Sequence, residues 1–249
     1  MGNIATIFLF LVLNFISNSK AESDIDVETV PNDTIKCEYY ETEFDVRDKW
    51  PKCSSFINHV ENQGICGSSW AIAVASVFTD RHCIESDKKG LITPHNASNI
   101  FSAYELLSCA PGLGCDGGLP NDAWEYIESN GICTGSDYFE DSGCKPYPFG
   151  PDDTNPIVNS CYNFCTNKKW GVPYDADRKN YASGGYYSDH AVVIVGYGTA
   201  SCGYEKIPYW IIRNSWGTNS TGKGFLKFRR GNDECGIESQ ISFGIPKID

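Results

Sequence analysis

Apolar residues change their rhythm along this chain, and the change sets the fold class. A Gly- and Ser-rich loop runs into Trp70-Ala-Ile-Ala-Val-Ala-Ser-Val-Phe78, which predicts a helix starting at Ser68 or Ser69. Ala103-Tyr-Glu-Leu-Leu-Ser-Cys109 gives a second short helical pattern. Cys115-Asp-Gly117-Gly118-Leu-Pro120 predicts a tight turn, and residues 121–128 a third amphipathic segment. Residues 143–173, rich in Pro, Asn and Asp, read as loop. Three later runs, His190 to Gly198, Pro208 to Arg213 and Gly224 to Arg230, are β-branched, aromatic and bounded by glycine or proline. They predict strands of an antiparallel sheet or barrel. A helical first half and a β second half imply an α+β fold of two lobes with a cleft between them. There is no internal repeat.

The N-terminus modifies this picture. Residues 1–21 carry an apolar core from Ile4 to Ile16 and end in small and polar residues, which reads as a secretory signal. No Lys or Arg precedes the core, so a buried first helix stays as the alternative. Residues 22–42 are acidic and polar and read as a short leader or vestigial pro-piece, leaving 43–249 as the folded body. A net charge of −12 argues against nucleic acid or an anionic membrane as partner, since both need a basic face. Twelve cysteines behind a signal imply disulfides and the secretory pathway, lysosomal or extracellular. The sequons at Asn32, Asn96 and Asn219 are usable on that route. The histidines, His59, His82, His95 and His190, have no ligand-like spacing, so no metal or other cofactor is expected.

The chemistry concentrates at Asn62-Gln-Gly-Ile-Cys66-Gly-Ser-Ser69-Trp70. A helix N-terminus aimed at a cleft favours negative charge, lowers the pKa of a thiol and makes it nucleophilic. The pattern Cys-Gly-[Ser/Ala]-Cys-[Trp/Tyr] surrounds the papain-family nucleophile, and here Ser69 occupies the second cysteine's place. Further along stand Cys115-Asp-Gly-Gly118, Gly143-Cys-Lys-Pro-Tyr147, His190-Ala-Val, Asn214-Ser-Trp-Gly217 and Cys235-Gly-Ile-Glu-Ser239. In this order the motifs resemble the papain superfamily, and its cathepsin B-like branch, from about Phe44 to Pro246.

That resemblance implies a site. Ser69 takes the nucleophile position, His190 that of general base and acid, and Asn214 orients the imidazole. Gln63 would supply the oxyanion hole with the backbone N–H of residue 69. Trp216 would shield the His190–Asn214 bond, and Gly117 and Gly118 would offer backbone groups to an extended peptide or protein ligand. Each residue also has a plain reading: Gln63 as a polar loop residue, His190 at a strand end, Asn214 in a turn. The resemblance further implies the disulfides Cys53–Cys83, Cys66–Cys115, Cys109–Cys161 and Cys144–Cys165. Cys37, Cys133, Cys202 and Cys235 stay unassigned.

The chain also departs from the family. A serine hydroxyl is far less acidic than a thiol, and neutral Asn214 is no substitute for the carboxylate that serine proteases use. Between Ser69 and His190 the chain is short by about fifty residues for this branch, with the deletion placed near 183–189, so the β-lobe is expected to be incomplete. The loop between Cys144 and Cys161 lacks histidine, which removes the basis for recognising a substrate C-terminus there. Ser220-Thr221 replaces a Trp-Gly pair and creates the Asn219 sequon, and Gln240 replaces an acidic residue of the specificity pocket. The leading expectation is an inactive cathepsin B-like peptidase homologue that keeps peptide binding. The alternatives are an active or trapped peptidase using Ser69, His190 and Asn214, and a truncated non-functional splice form or gene copy.

Overall fold

A computed structural model describes residues 12–15, 37–96, 98–138, 140–171, 174, 190–239 and 241–248. Its helices are α1 (Val46–Lys49), α2 (Ser54–Ile57), α3 (Ser69–Lys88), α4 (Ala103–Cys109) and α5 (Pro120–Asn130). The strands are β1 (Val12–Phe15), β2 (Tyr39–Asp45), β3 (His190–Cys202), β4 (Glu205–Arg213), β5 (Phe225–Arg229) and β6 (Ile241–Ser242). The arrangement is α+β, as the sequence pattern predicts, with helices leading and an antiparallel sheet following.

α3 is the axis of the helical part. It is buried on nearly every side, from Ser69 to Ile84, and packs on α4, α5 and β3. Its first turns are apolar on every face, and the polar Thr79, Asp80, Arg81 and His82 that follow are buried with them. α4 starts where the Ser102 hydroxyl accepts from the Glu105 N–H at 2.9 Å, a side-chain cap. α5 opens with Pro120 in its first turn and stops at Gly131, whose φ of 82° ends the helix. Two ion pairs lie buried among these elements. Glu105 meets Lys145 at 2.5 Å, and Asp80 of α3 meets Arg213 of β4 at 2.7 Å.

The sheet is organised by β3. β4 pairs along one edge of β3 from Val193 to Cys202, and β5 pairs beyond β4. On the other edge two strands lie in tandem: β1 opposite residues 190–193 and β2 opposite residues 196–201. β6 pairs with the far side of β1. A small second core of Val192, Ile194, Ile212 and Ile237 sits against this sheet.

The described residues place strands inside both N-terminal stretches. β2 begins at Tyr39, inside the stretch read as leader, and Cys37 is bonded to Cys202. β2 is exposed from Tyr39 to Glu43, so it lacks the apolar alternation that marks a strand in sequence. Val12–Phe15, inside the stretch read as a signal, forms β1; the rest of residues 1–21 and the 183–189 junction lie outside the described residues.

Candidate active site

α3 presents its N-terminus to β3, and that contact builds the site. Ser69 is the first residue of α3, and its Oγ accepts from the Ala191 N–H at 3.1 Å, next to His190. His190 opens β3 and sets Nε2 2.8 Å from Asn214 Oδ1. Oδ1 can only accept, so Nε2 carries the proton of the neutral ring and Nδ1 is its basic nitrogen. Asn214 is held from two sides: its N–H donates to Gly224 O, and its Oδ1 also accepts from the Ser215 N–H. The half-exposed Trp216 indole stacks on the imidazole with centroids 5.1 Å apart. Burial lowers the His190 pKa, and the Asn214 bond only partly opposes this. The ring is therefore neutral at neutral pH.

Gln63, six residues before Ser69, is bonded to Cys66 and Ser215. Its Nε2 donates to Cys66 O at 2.9 Å and its Oε1 accepts from the Ser215 hydroxyl at 2.6 Å. Its backbone N–H donates to Ser215 O, and Asn62 forms a bridge to Trp216. Tyr147 adds a prop that the residue reading left without a role. Its OH lies 2.7 Å from Ser68 Oγ and donates to Gln63 O at 2.9 Å. Ser68, at the N-cap, is thus engaged with Tyr147 and makes no side-chain cap on α3. Both Tyr147 and Ser215 stand inside motifs the sequence displays, so position alone could have flagged them.

The glycine pair divides into two causes. A Cβ on Gly118 would fall 2.4 Å from the Trp70 indole, so packing demands glycine there. Gly117 has open space around it but a φ of 118°, a backbone state suited to glycine. Four disulfides hold the surrounding loops: Cys53–Cys83, Cys66–Cys115, Cys109–Cys161 and Cys144–Cys165. Of the unassigned cysteines, Cys133 is a buried thiol donating to Glu105, and Cys235 is an exposed thiol. Asn96 and Asn219 are exposed, while Asn32 and Gln240 lie outside the described residues.

Residues 40–181 and 171–245 match the papain family cysteine protease family. This chain belongs to that family. Within it the chain is 33% identical to cathepsin B-like cysteine proteinase 4 of Caenorhabditis elegans, over 90% of this chain and 80% of that one. It is 35% identical to the gut-specific cysteine proteinase of the same organism, over 82% of this chain and 73% of that one. Among solved structures it resembles procathepsin B S9 from Trypanosoma congolense at 27% identity and a TM-score of 0.66, covering 95% and 87% of the two chains. As a cathepsin B-like homologue, this papain-family chain places a serine, a neutral histidine and an asparagine at one helix–strand junction.

Proposed function

We propose that this chain is a cathepsin B-like peptidase homologue that binds extended peptides in its cleft without hydrolysing them. The observation that carries the reading is Ser69 at the N-terminus of α3, with its Oγ on Ala191 N–H beside the His190–Asn214 pair. This is the family's nucleophile position, and the residue is serine. A thiol there would lose its proton to the imidazole, giving an ion pair poised for attack. The hydroxyl is far less acidic, and burial further weakens His190 as a base. Asn214 supplies no negative charge to stabilise an imidazolium. Gln63 Nε2 commits one of its two N–H donors to Cys66 O, which leaves one donor for an oxyanion.

The exposed face of Trp216 is available to an extended ligand, whereas the Gly117 N–H and C=O are bonded to Gly114 O and Leu113 N–H, and Gly118 bridges Gly112. The chain's relatives and its cysteine bonds favour a secreted or lysosomal setting, with glycans at the exposed Asn96 and Asn219. No helix among the described residues is long and apolar enough to cross a membrane.

The test compares the purified chain with its Ser69→Cys variant. The natural chain is expected to turn over no peptide substrate and to form no adduct with a thiol-directed epoxide. The Ser69→Cys variant is expected to form the adduct, since the helix terminus and His190 are in place. Hydrolysis by the natural chain that Ser69→Ala abolishes would overturn the inactive reading.

A second reading, a truncated splice form or gene copy, has its own support. The alignment with cathepsin B-like cysteine proteinase 4 extends over 282 residues, more than the 249 of this chain. A natural chain that shows no cooperative thermal unfolding would favour this reading instead.

A further inference from the structure

Further along α3, two to three turns beyond Ser69 where Ser76 and Asp80 share its helix face, ionisable groups crowd around a cavity of about 10 Å³, room for one water molecule. Glu61 and His59 come from the segment after α2, Ser76, Thr79 and Asp80 from α3, His95 from the following loop and Arg213 from β4. Asp137 faces the cluster from the loop after α5, 3.8 Å from His59, and the His59 and His95 rings are 6.1 Å apart. Glu140, on the same loop, acts on His59 from outside. Arg213, the cation of the group, is already engaged by Asp80 and by the carbonyls of Phe56 and Ile57. Glu61 is left with the Ser76 hydroxyl, which donates to it at 3.1 Å.

Glu61 is also wired to the site. Its carbonyl accepts from the Gly217 N–H at 3.0 Å, and the next two residues are Asn62, bridged to Trp216, and Gln63, bonded to Ser215. Anything that displaces Glu61 therefore moves the ladder that holds Trp216 over His190 and Gln63 on Ser215.

We propose that Glu61 is a proton-operated positioning residue: with its carboxyl protonated the 61–63 ladder is seated, and ionisation loosens it. A buried carboxylate near Asp137 and Asp80, with one hydroxyl donor, has poor compensation for its charge. Burial, then Asp137, pushes the Glu61 pKa up to about 8. A raised folded-state pKa on an acid gives a contribution that is full below the ordinary carboxylate range. It is lost as pH rises through about 8. Asp137, raised mainly by burial, acts in the same direction. His59, lowered by burial, acts in the opposite one: its contribution is lost as pH falls below its ordinary value near 6.5. The ladder is thus seated most firmly on the acid side of neutrality.

Native-state hydrogen exchange on the full chain tests this without any assumption about hydrolysis. With the intrinsic pH effect removed, the Gln63 and Gly217 amides should lose at least tenfold protection between pH 5 and pH 8, while helical amides of α5 do not. Glu61→Gln, which keeps shape and removes the charge, should abolish that loss. Identical pH profiles in the natural chain and Glu61→Gln overturn the proposal. Should Glu61→Gln fail to fold, Ser76→Ala serves instead. Removing the donor should move the loss of protection to higher pH, and an unmoved profile overturns the proposal equally.

Discussion

Gly118 shows how one residue can carry two meanings. The family resemblance makes it a place where a ligand's backbone approaches, and the structure adds that its missing Cβ leaves room for the Trp70 indole. The packing reason operates whether or not a ligand ever binds. Gly118→Ala would set a carbon 2.4 Å from the ring, and neither the rigid indole nor the Gly112–Gly118 bridge can yield freely. We expect a loss of about 1–3 kcal/mol, the usual cost of overpacking, read as a lower thermal midpoint. Gly117→Ala meets open space, so its cost comes from the φ of 118° alone. A Gly118→Ala chain that melts with the natural one would show that the indole relocates at no cost.

Between elements, α3 and β4 are tied by Asp80 and Arg213, both buried. Arg213 also satisfies the Phe56 and Ile57 carbonyls at the end of α2, so one side chain closes three elements. Burial raises the Asp80 pKa, while Arg213 opposes that rise. Asp80→Ala would leave the guanidinium buried with carbonyls alone. Its expected cost is about 3–5 kcal/mol, measured by denaturant unfolding, and a cost below 1 kcal/mol would mean that water reaches Arg213. This tie was not legible in the sequence, where Asp80 and Arg213 read as ordinary polar positions. α3 and α4, by contrast, announce themselves through periodic apolar residues, and β3 and β4 through β-branched runs. β2 stayed hidden because an exposed edge strand needs no apolar face; its place comes from pairing with β3 and from Cys37–Cys202. The site was legible as motifs. The turning of Gln63 onto Cys66 O was not, because it depends on partners distant in sequence.

At the scale of the whole molecule, the sheet depends on a segment that the secretory reading would remove. β1 stands between β3 and β6 and pairs with both, so residues 190–193 and 241–242 have no direct ladder to each other. Cleavage after Ala21 would take β1 away and leave two unpaired edges beside the small core of Val192, Ile194, Ile212 and Ile237. Open apolar edges invite strand addition by other chains. The tie through Cys37–Cys202 and β2 would survive, since it holds the other half of β3. We therefore expect residues 22–249 to unfold at lower temperature than residues 1–249 and to self-associate as concentration rises, by calorimetry and light scattering. A synthetic peptide of residues 10–17 should raise that midpoint in a dose-dependent way, as a ligand of the folded state does. Equal midpoints, with monomers throughout and no response to peptide, would mean that β3 and β6 close on each other once residues 1–21 are gone. In that case the second lobe is complete in its shortened form, and the argument for a truncated, non-functional chain loses its physical basis.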